Sequence, residues 1–280
     1  MQAQQLSTQK GYSIGITEFT SNHRQSDVVL ISPATGVRQH YYFKFAKYLQ
    51  AQGYSAITFD FGGIGESNAQ NLTDFDTSAQ NWGCNDLETV IQYAVRRYPS
   101  QAIHAIGHSI GGQLIGLAPS AKYLDKILLV ASQSGYYGHW SGFNQLKMMA
   151  IWHLIFPVFT GVFGYFPGKK LGVMEDLPKS MAQEWTKWCK SPNYLFDHID
   201  EGQQYFKNIK GSLTSYSATD DSYAPGNAVD WLSKQYTNAR RSRIELKPRD
   251  VGQSKIGHFG FFKERMKESF WRMLLDNLAQ

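Results

Sequence analysis

The sequence predicts an α/β fold: a mostly parallel central sheet flanked by helices, interrupted once by an inserted helical segment. Three observations carry this. From Asp27 onward, short apolar β-rich runs alternate with longer helical patterns, the rhythm of parallel strands joined by crossover helices. The alternation stops between Ser134 and Lys210 and then resumes. The 280 residues, 42% hydrophobic and 18% charged, supply one large core and exclude a disordered chain.

In chain order, Tyr12–Thr20 reads as an antiparallel edge strand, followed by strands at Val28–Ser32, Ala56–Phe59, Ala102–Ile106, Ile127–Ala131, Leu213–Ala218 and Arg243–Leu246. Helices are expected over Tyr41–Ala51, Thr77–Arg97, Gly111–Ala118, Ala228–Tyr236 and Phe262–Leu278. Phe43, Ala46, Lys47 and Leu49 to Ala51 form a partial apolar stripe closed by Gly53, while Asp86, Val90, Tyr93 and Ala94 recur at helical spacing before Pro99. Residues 134–210 are rich in Trp, Tyr, Phe and Met, which argues for burial rather than a linker. They are read as a cap inserted into a core made of 1–133 and 211–280.

Other functions find little support. A net charge of +5 with a single dense basic run, Arg240-Arg241-Ser242-Arg243, lacks the stripe or motif of a nucleic-acid binder. Two cysteines, Cys84 and Cys189, and a polar start without an apolar secretory segment lead to the expectation of a cytoplasmic protein. Met148 to Phe166 contains no Asp, Glu, Lys or Arg and approaches the ~18–20 residues that cross a bilayer. With Pro157 and two glycines, it is read as a broken apolar helix pair or a surface that meets lipid; membrane contact is not the expectation. His104 and His108 fall on a strand and a turn, where spacing by four does not converge on a metal, and neither a metal nor a nucleotide motif occurs, so no cofactor is expected.

One segment carries chemistry in its context. Gly107-His108-Ser109-Ile110-Gly111-Gly112 follows a strand and opens a small-residue helix, as a nucleophile elbow does: glycines allow the tight turn, and the serine stands at the sheet's carboxyl edge. The Ile110 N–H would then face a developing oxyanion.

With these residues the chain resembles the α/β-hydrolase superfamily over most of its length outside the cap. Asp60-Phe61-Gly62-Gly63-Ile64-Gly65-Glu66-Ser67 is similar to the D-x-R-G-x-G-x-S loop of that superfamily, departing from it at Phe61-Gly62. The resemblance implies a second oxyanion donor in Ile31-Ser32-Pro33-Ala34-Thr35-Gly36, where the usual His-Gly is absent and Ala34 and Thr35 both stand as candidates. It implies an acid in Thr219-Asp220-Asp221-Ser222-Tyr223-Ala224-Pro225; an aspartate four residues before a proline selects Asp221, with Asp220 as runner-up. It implies a base, His258, in Lys255-Ile256-Gly257-His258-Phe259-Gly260-Phe261-Phe262. The expected activity is that of a serine hydrolase acting on an ester of a small, moderately apolar acyl group. Acyl transfer, thioester or amide cleavage on the same triad, or a binding protein that lost turnover, are the alternatives.

Overall fold

The computed structural model describes residues 1–23, 26–67 and 71–280. Eight strands form one sheet: β1 (Gln2–Ser7), β2 (Ser13–Phe19), β3 (Val28–Ser32), β4 (Ser55–Phe59), β5 (Ile103–His108), β6 (Leu124–Val130), β9 (Ser212–Ala218) and β10 (Arg240–Leu246). Their order is β1-β2-β4-β3-β5-β6-β9-β10, while β7 (Tyr165–Phe166) and β8 (Leu177–Pro178) pair separately. Only the β1–β2 and β2–β4 pairings in the large sheet are antiparallel.

The apolar runs at β3, β4 and β5 are buried on both faces, as a parallel sheet requires. Val28 and Leu30 point into one core and Val29 and Ile31 into the other, so successive residues of β3 serve opposite faces. Phe43–Ala51 and Arg272–Ala279 cover the second core; Glu88–Arg97 covers the first. β1 is the strand that patterning does not reveal. Its sequence QAQQLS is largely polar because it closes an edge against β2, with Leu6 packed inward.

β3 has β4 on one side and β5 on the other, so the winding reverses there and leaves a crevice at the carboxyl ends of β3 and β5. The loops after β3, β5, β9 and β10 meet at that end.

The chain leaves the sheet after Val130 and rejoins it at Ser212. In between, Trp152, Phe156, Phe166, Met181 and Trp188 continue the first core instead of forming a separate one. The expected broken helix pair is instead one run, Gly142–Phe163. Proline at 157 has no N–H to donate, and its ring crowds the carbonyl of residue 153. The helix absorbs this with a wide π-type stretch at Ile151–Ile155 and continues without a break.

Candidate active site

The elbow is built by close approach. A Cβ at Gly107 would lie 2.4 Å from the Gly112 Cα, and one at Gly111 would lie 2.3 Å from the Ser32 carbonyl oxygen. Only glycine lets the strand, the turn and the following helix come this near. Ser109 takes the strain, at φ 52° and ψ −122°, and its N–H is held by the Val130 carbonyl at 3.0 Å.

Ser109, Asp221 and His258 are brought together from three separate strand ends. His258 Nε2 lies 2.9 Å from Ser109 Oγ, and His258 Nδ1 lies 2.8 Å from Asp221 Oδ2. Asp221 Oδ1 accepts the N–H groups of Tyr223 (2.8 Å) and Ala224 (3.2 Å). Both carboxylate oxygens are therefore committed, and Oδ2 can only accept. This assigns the histidine proton to Nδ1 and leaves Nε2 free to receive the serine hydroxyl. All three residues are buried.

Asp220, the runner-up, is half-buried at the edge of the site. Its two oxygens accept the N–H groups of Ile256 (2.9 Å) and Gly257 (3.1 Å), tying the acid loop to the loop that carries His258.

One oxyanion candidate is corrected. The Ala34 N–H donates to Tyr42 Oη at 2.9 Å and is unavailable to a substrate. Among the described residues, neither the Thr35 nor the Ile110 N–H has a partner, and the buried Thr35 hydroxyl also has none. Ile110 and Thr35 are the donors left at the crevice.

Two residues that the sequence reading did not assign to the site, His108 and Tyr42, stand behind it. His108 Nε2 lies 3.0 Å from the His258 carbonyl oxygen, so that nitrogen must carry the proton. Nδ1 then accepts the Tyr42 hydroxyl at 2.8 Å, and Tyr42 in turn accepts from Ala34. The relay joins the β3 loop, the elbow and the histidine loop behind the reacting atoms. Its signal was the His at the first variable position of G-x-S-x-G, considered above only for metal binding. His104 lies at the far end of β5, 3.5 Å from Asp27 and 3.7 Å from Asp125. Among the described residues no group of three or more His, Cys, Asp or Glu is placed to hold a metal ion.

Burial, and then the neighbouring His258, push the His108 pKa down to about 3. Between that value and the ~6.5 of an exposed imidazole, the unfolded chain binds the proton and the folded chain does not. Stability is therefore intact above ~6.5 and falls as pH drops toward 3. Measured by urea unfolding at pH 7 and pH 4, the wild type should lose about 3 kcal/mol more than His108→Gln, which has no proton to take up. Parallel losses in the two proteins would remove His108 from this account.

A cleft of about 680 Å³ borders the site, walled by His139, Trp140 and Asn144 on the cap side and by Thr219, Asp220 and Asp221 on the sheet side. Ser109 is buried and is not among the cleft walls.

Sheet order, elbow and flanking helices define the α/β-hydrolase fold, and the chain is by fold an α/β-hydrolase. The sequence profile of the family described as serine aminopeptidase, S33, matches residues 22–156. Among solved structures, a soluble variant of monoglyceride lipase from Saccharomyces cerevisiae superposes with a TM-score of 0.70 at 12% identity, covering 99% of this chain and 94% of that one. An esterase from Exiguobacterium antarcticum gives 0.62 at 13% identity, with 100% of both chains covered. Mouse alpha/beta hydrolase domain-containing protein 10 gives 0.63 at 10% identity, covering 100% of this chain and 99% of that one. No curated protein sequence is a significant match.

Proposed function

We propose that this chain is a serine hydrolase that cleaves a carboxylic ester of a small, moderately apolar acyl group through an acyl-enzyme on Ser109, acting in the cytoplasm. The observation that carries the reading is the unbroken chain of contacts from Ser109 Oγ to His258 (2.9 Å) to Asp221 (2.8 Å) at a strained elbow. In the first step His258 Nε2 takes the serine proton as Oγ attacks the carbonyl carbon, and the Ile110 and Thr35 N–H groups meet the oxyanion. The imidazolium, stabilised by Asp221, gives its proton to the leaving alkoxide. Water then attacks the acyl-enzyme with its proton passing to His258, and collapse of the second intermediate returns that proton to Ser109 Oγ and releases the acid.

The names of the yeast monoglyceride lipase and the Exiguobacterium esterase lean toward esters, and the serine aminopeptidase profile leans toward amides. The test is a panel of p-nitrophenyl esters from acetyl to octanoyl, with matched thioesters and aminoacyl anilides. Ester turnover exceeding anilide turnover by at least about tenfold, with a preferred acyl length, is the expected result, because each methylene received by an apolar pocket contributes up to ~0.8 kcal/mol. Anilide preference would give the chain to the amide reading, and absence of turnover together with no labelling by a fluorophosphonate would leave only a binding protein.

A further inference from the structure

The helix Gly142–Phe163 has two apolar faces and only one of them is packed. Met148, Trp152, Phe156 and Thr160, spaced by four, are buried, with Trp152 and Phe156 lying 4.8 and 5.6 Å from the Trp185 ring. The opposite ridge carries Phe143, Leu146, Leu154, Val158 and Val162, which are 49–81% exposed. Over its most apolar stretch, mean hydropathy is 1.6, yet only 22% is buried. A core helix of this composition would be mostly covered. An exposed apolar ridge of this length marks a surface that meets something else.

We propose that this ridge is a membrane-docking surface that rests in the headgroup region of an anionic bilayer, with the helix lying in the membrane plane. Three observations select this occupant. Both ends of the helix return to the same globular body: Trp140 Nε1, just before it, donates to the Ser222 carbonyl, and Tyr165-Phe166, just after it, pair with Leu177-Pro178. A segment tethered this way at both ends lies on a bilayer and does not cross it. The helix contains no Asp or Glu; Lys147 lies near one end and Lys170, over the Phe163 ring, just beyond the other, while Lys169 is paired with Glu175, so Lys147 and Lys170 are the cations that bracket the apolar ridge as anionic lipid favours. A second copy fits less well: a two-fold pairing along this ridge sets Lys147 against Lys147 when parallel, or against Lys170 when antiparallel, with no acid on the helix to compensate.

The placement bears on access. Asn144, in the first turn, walls the cleft beside Asp221, and the Lys147 ammonium sits 5.0 Å over the Tyr223 ring, itself 5.7 Å from the His258 ring. Docking through the ridge would set that cleft near the lipid surface. Docking does not rest on the hydrolase reading, and its test needs no turnover.

The test is flotation of the full chain with vesicles of phosphatidylcholine containing 30% phosphatidylglycerol. Binding is expected, weakened at least about threefold by pure phosphatidylcholine or by 0.5 M salt, and lowered at least about tenfold in Leu154→Asp/Val158→Asp. Both substitutions fall on exposed positions, so the melting temperature should stay at the wild-type value. Wild type that fails to float, or a double variant that floats as well as wild type, would overturn the proposal. A lipid-free dimer that the double variant converts to monomer would overturn it in favour of a second copy.

Discussion

Ser109→Ala is expected to fold as the wild type does, to lose all labelling by a fluorophosphonate probe, and to lose at least ~10³-fold in ester turnover. The fold is spared because the strained φ of 52° is imposed by the backbone: the Val130 carbonyl holds the Ser109 N–H, and the Gly107 and Gly111 contacts hold the turn. Alanine has the same steric limits there as serine. The hydroxyl is lost, and with it the oxygen placed 2.9 Å from His258 Nε2. Residual turnover of an activated ester would reflect the Ile110 and Thr35 donors alone. Circular dichroism and a melting curve establish folding, and intact-mass measurement after probe treatment reads the adduct. An adduct that persists in the variant moves the nucleophile to another residue.

Asp221→Asn is expected to lower turnover by roughly 10²–10⁴-fold with a folded chain, whereas Asp220→Asn should stay within about tenfold and lose stability instead. The difference follows from who donates to each carboxylate. Asp221 accepts from the His258 ring on one oxygen and from two backbone N–H groups on the other. An asparagine must turn its NH₂ toward one of these. Facing Tyr223 and Ala224, it sets donor against donor. Facing His258, it demands the tautomer with Nε2 protonated, which cannot take the serine proton. Asp220 instead accepts one backbone N–H on each oxygen, from Ile256 and Gly257, so its amide loses one hydrogen bond in the loop before His258, about 1–3 kcal/mol. A chevron-free comparison of melting temperature with kcat separates the two: Asp221→Asn moves kcat, and Asp220→Asn moves the melting temperature. If Asp220→Asn is the crippled enzyme and Asp221→Asn is nearly normal, the triad acid has been placed one residue too late.

Much of the sheet was legible before any coordinates. Val28–Ser32 is apolar without alternation, and a strand buried on both faces must be. The elbow was legible for a related reason: its glycines are required by backbone approach, so Gly107 and Gly111 leave a mark in sequence that no substitution hides. β1 was not legible, because an edge strand draws its hydrogen bonds from the sheet and needs few apolar residues to hold it. The helix Gly142–Phe163 was legible as apolar but not as one piece, since a proline in the sequence does not say whether the backbone breaks or widens around it.

By itself, then, the sequence determined the mostly parallel sheet and the glycine-flanked turn at Ser109, because these rest on periodicity or on steric limits local to a few residues, while the acid and the histidine after later strands came only as what the α/β-hydrolase resemblance implied. Tertiary structure alone decided three matters. Ala34 and Thr35 are neighbours of similar size, and what separates them is that the Tyr42 hydroxyl occupies one N–H and leaves the other free. Asp220 and Asp221 differ in the direction each carboxylate leaves the end of β9, which sends one to backbone amides and the other to the imidazole. Along Gly142–Phe163, Trp152 and Phe156 turned inward, while Phe143, Leu146, Leu154, Val158 and Val162 turned outward. Hydrophobicity states only that a side chain avoids water; which surface it finds is settled by everything folded around it.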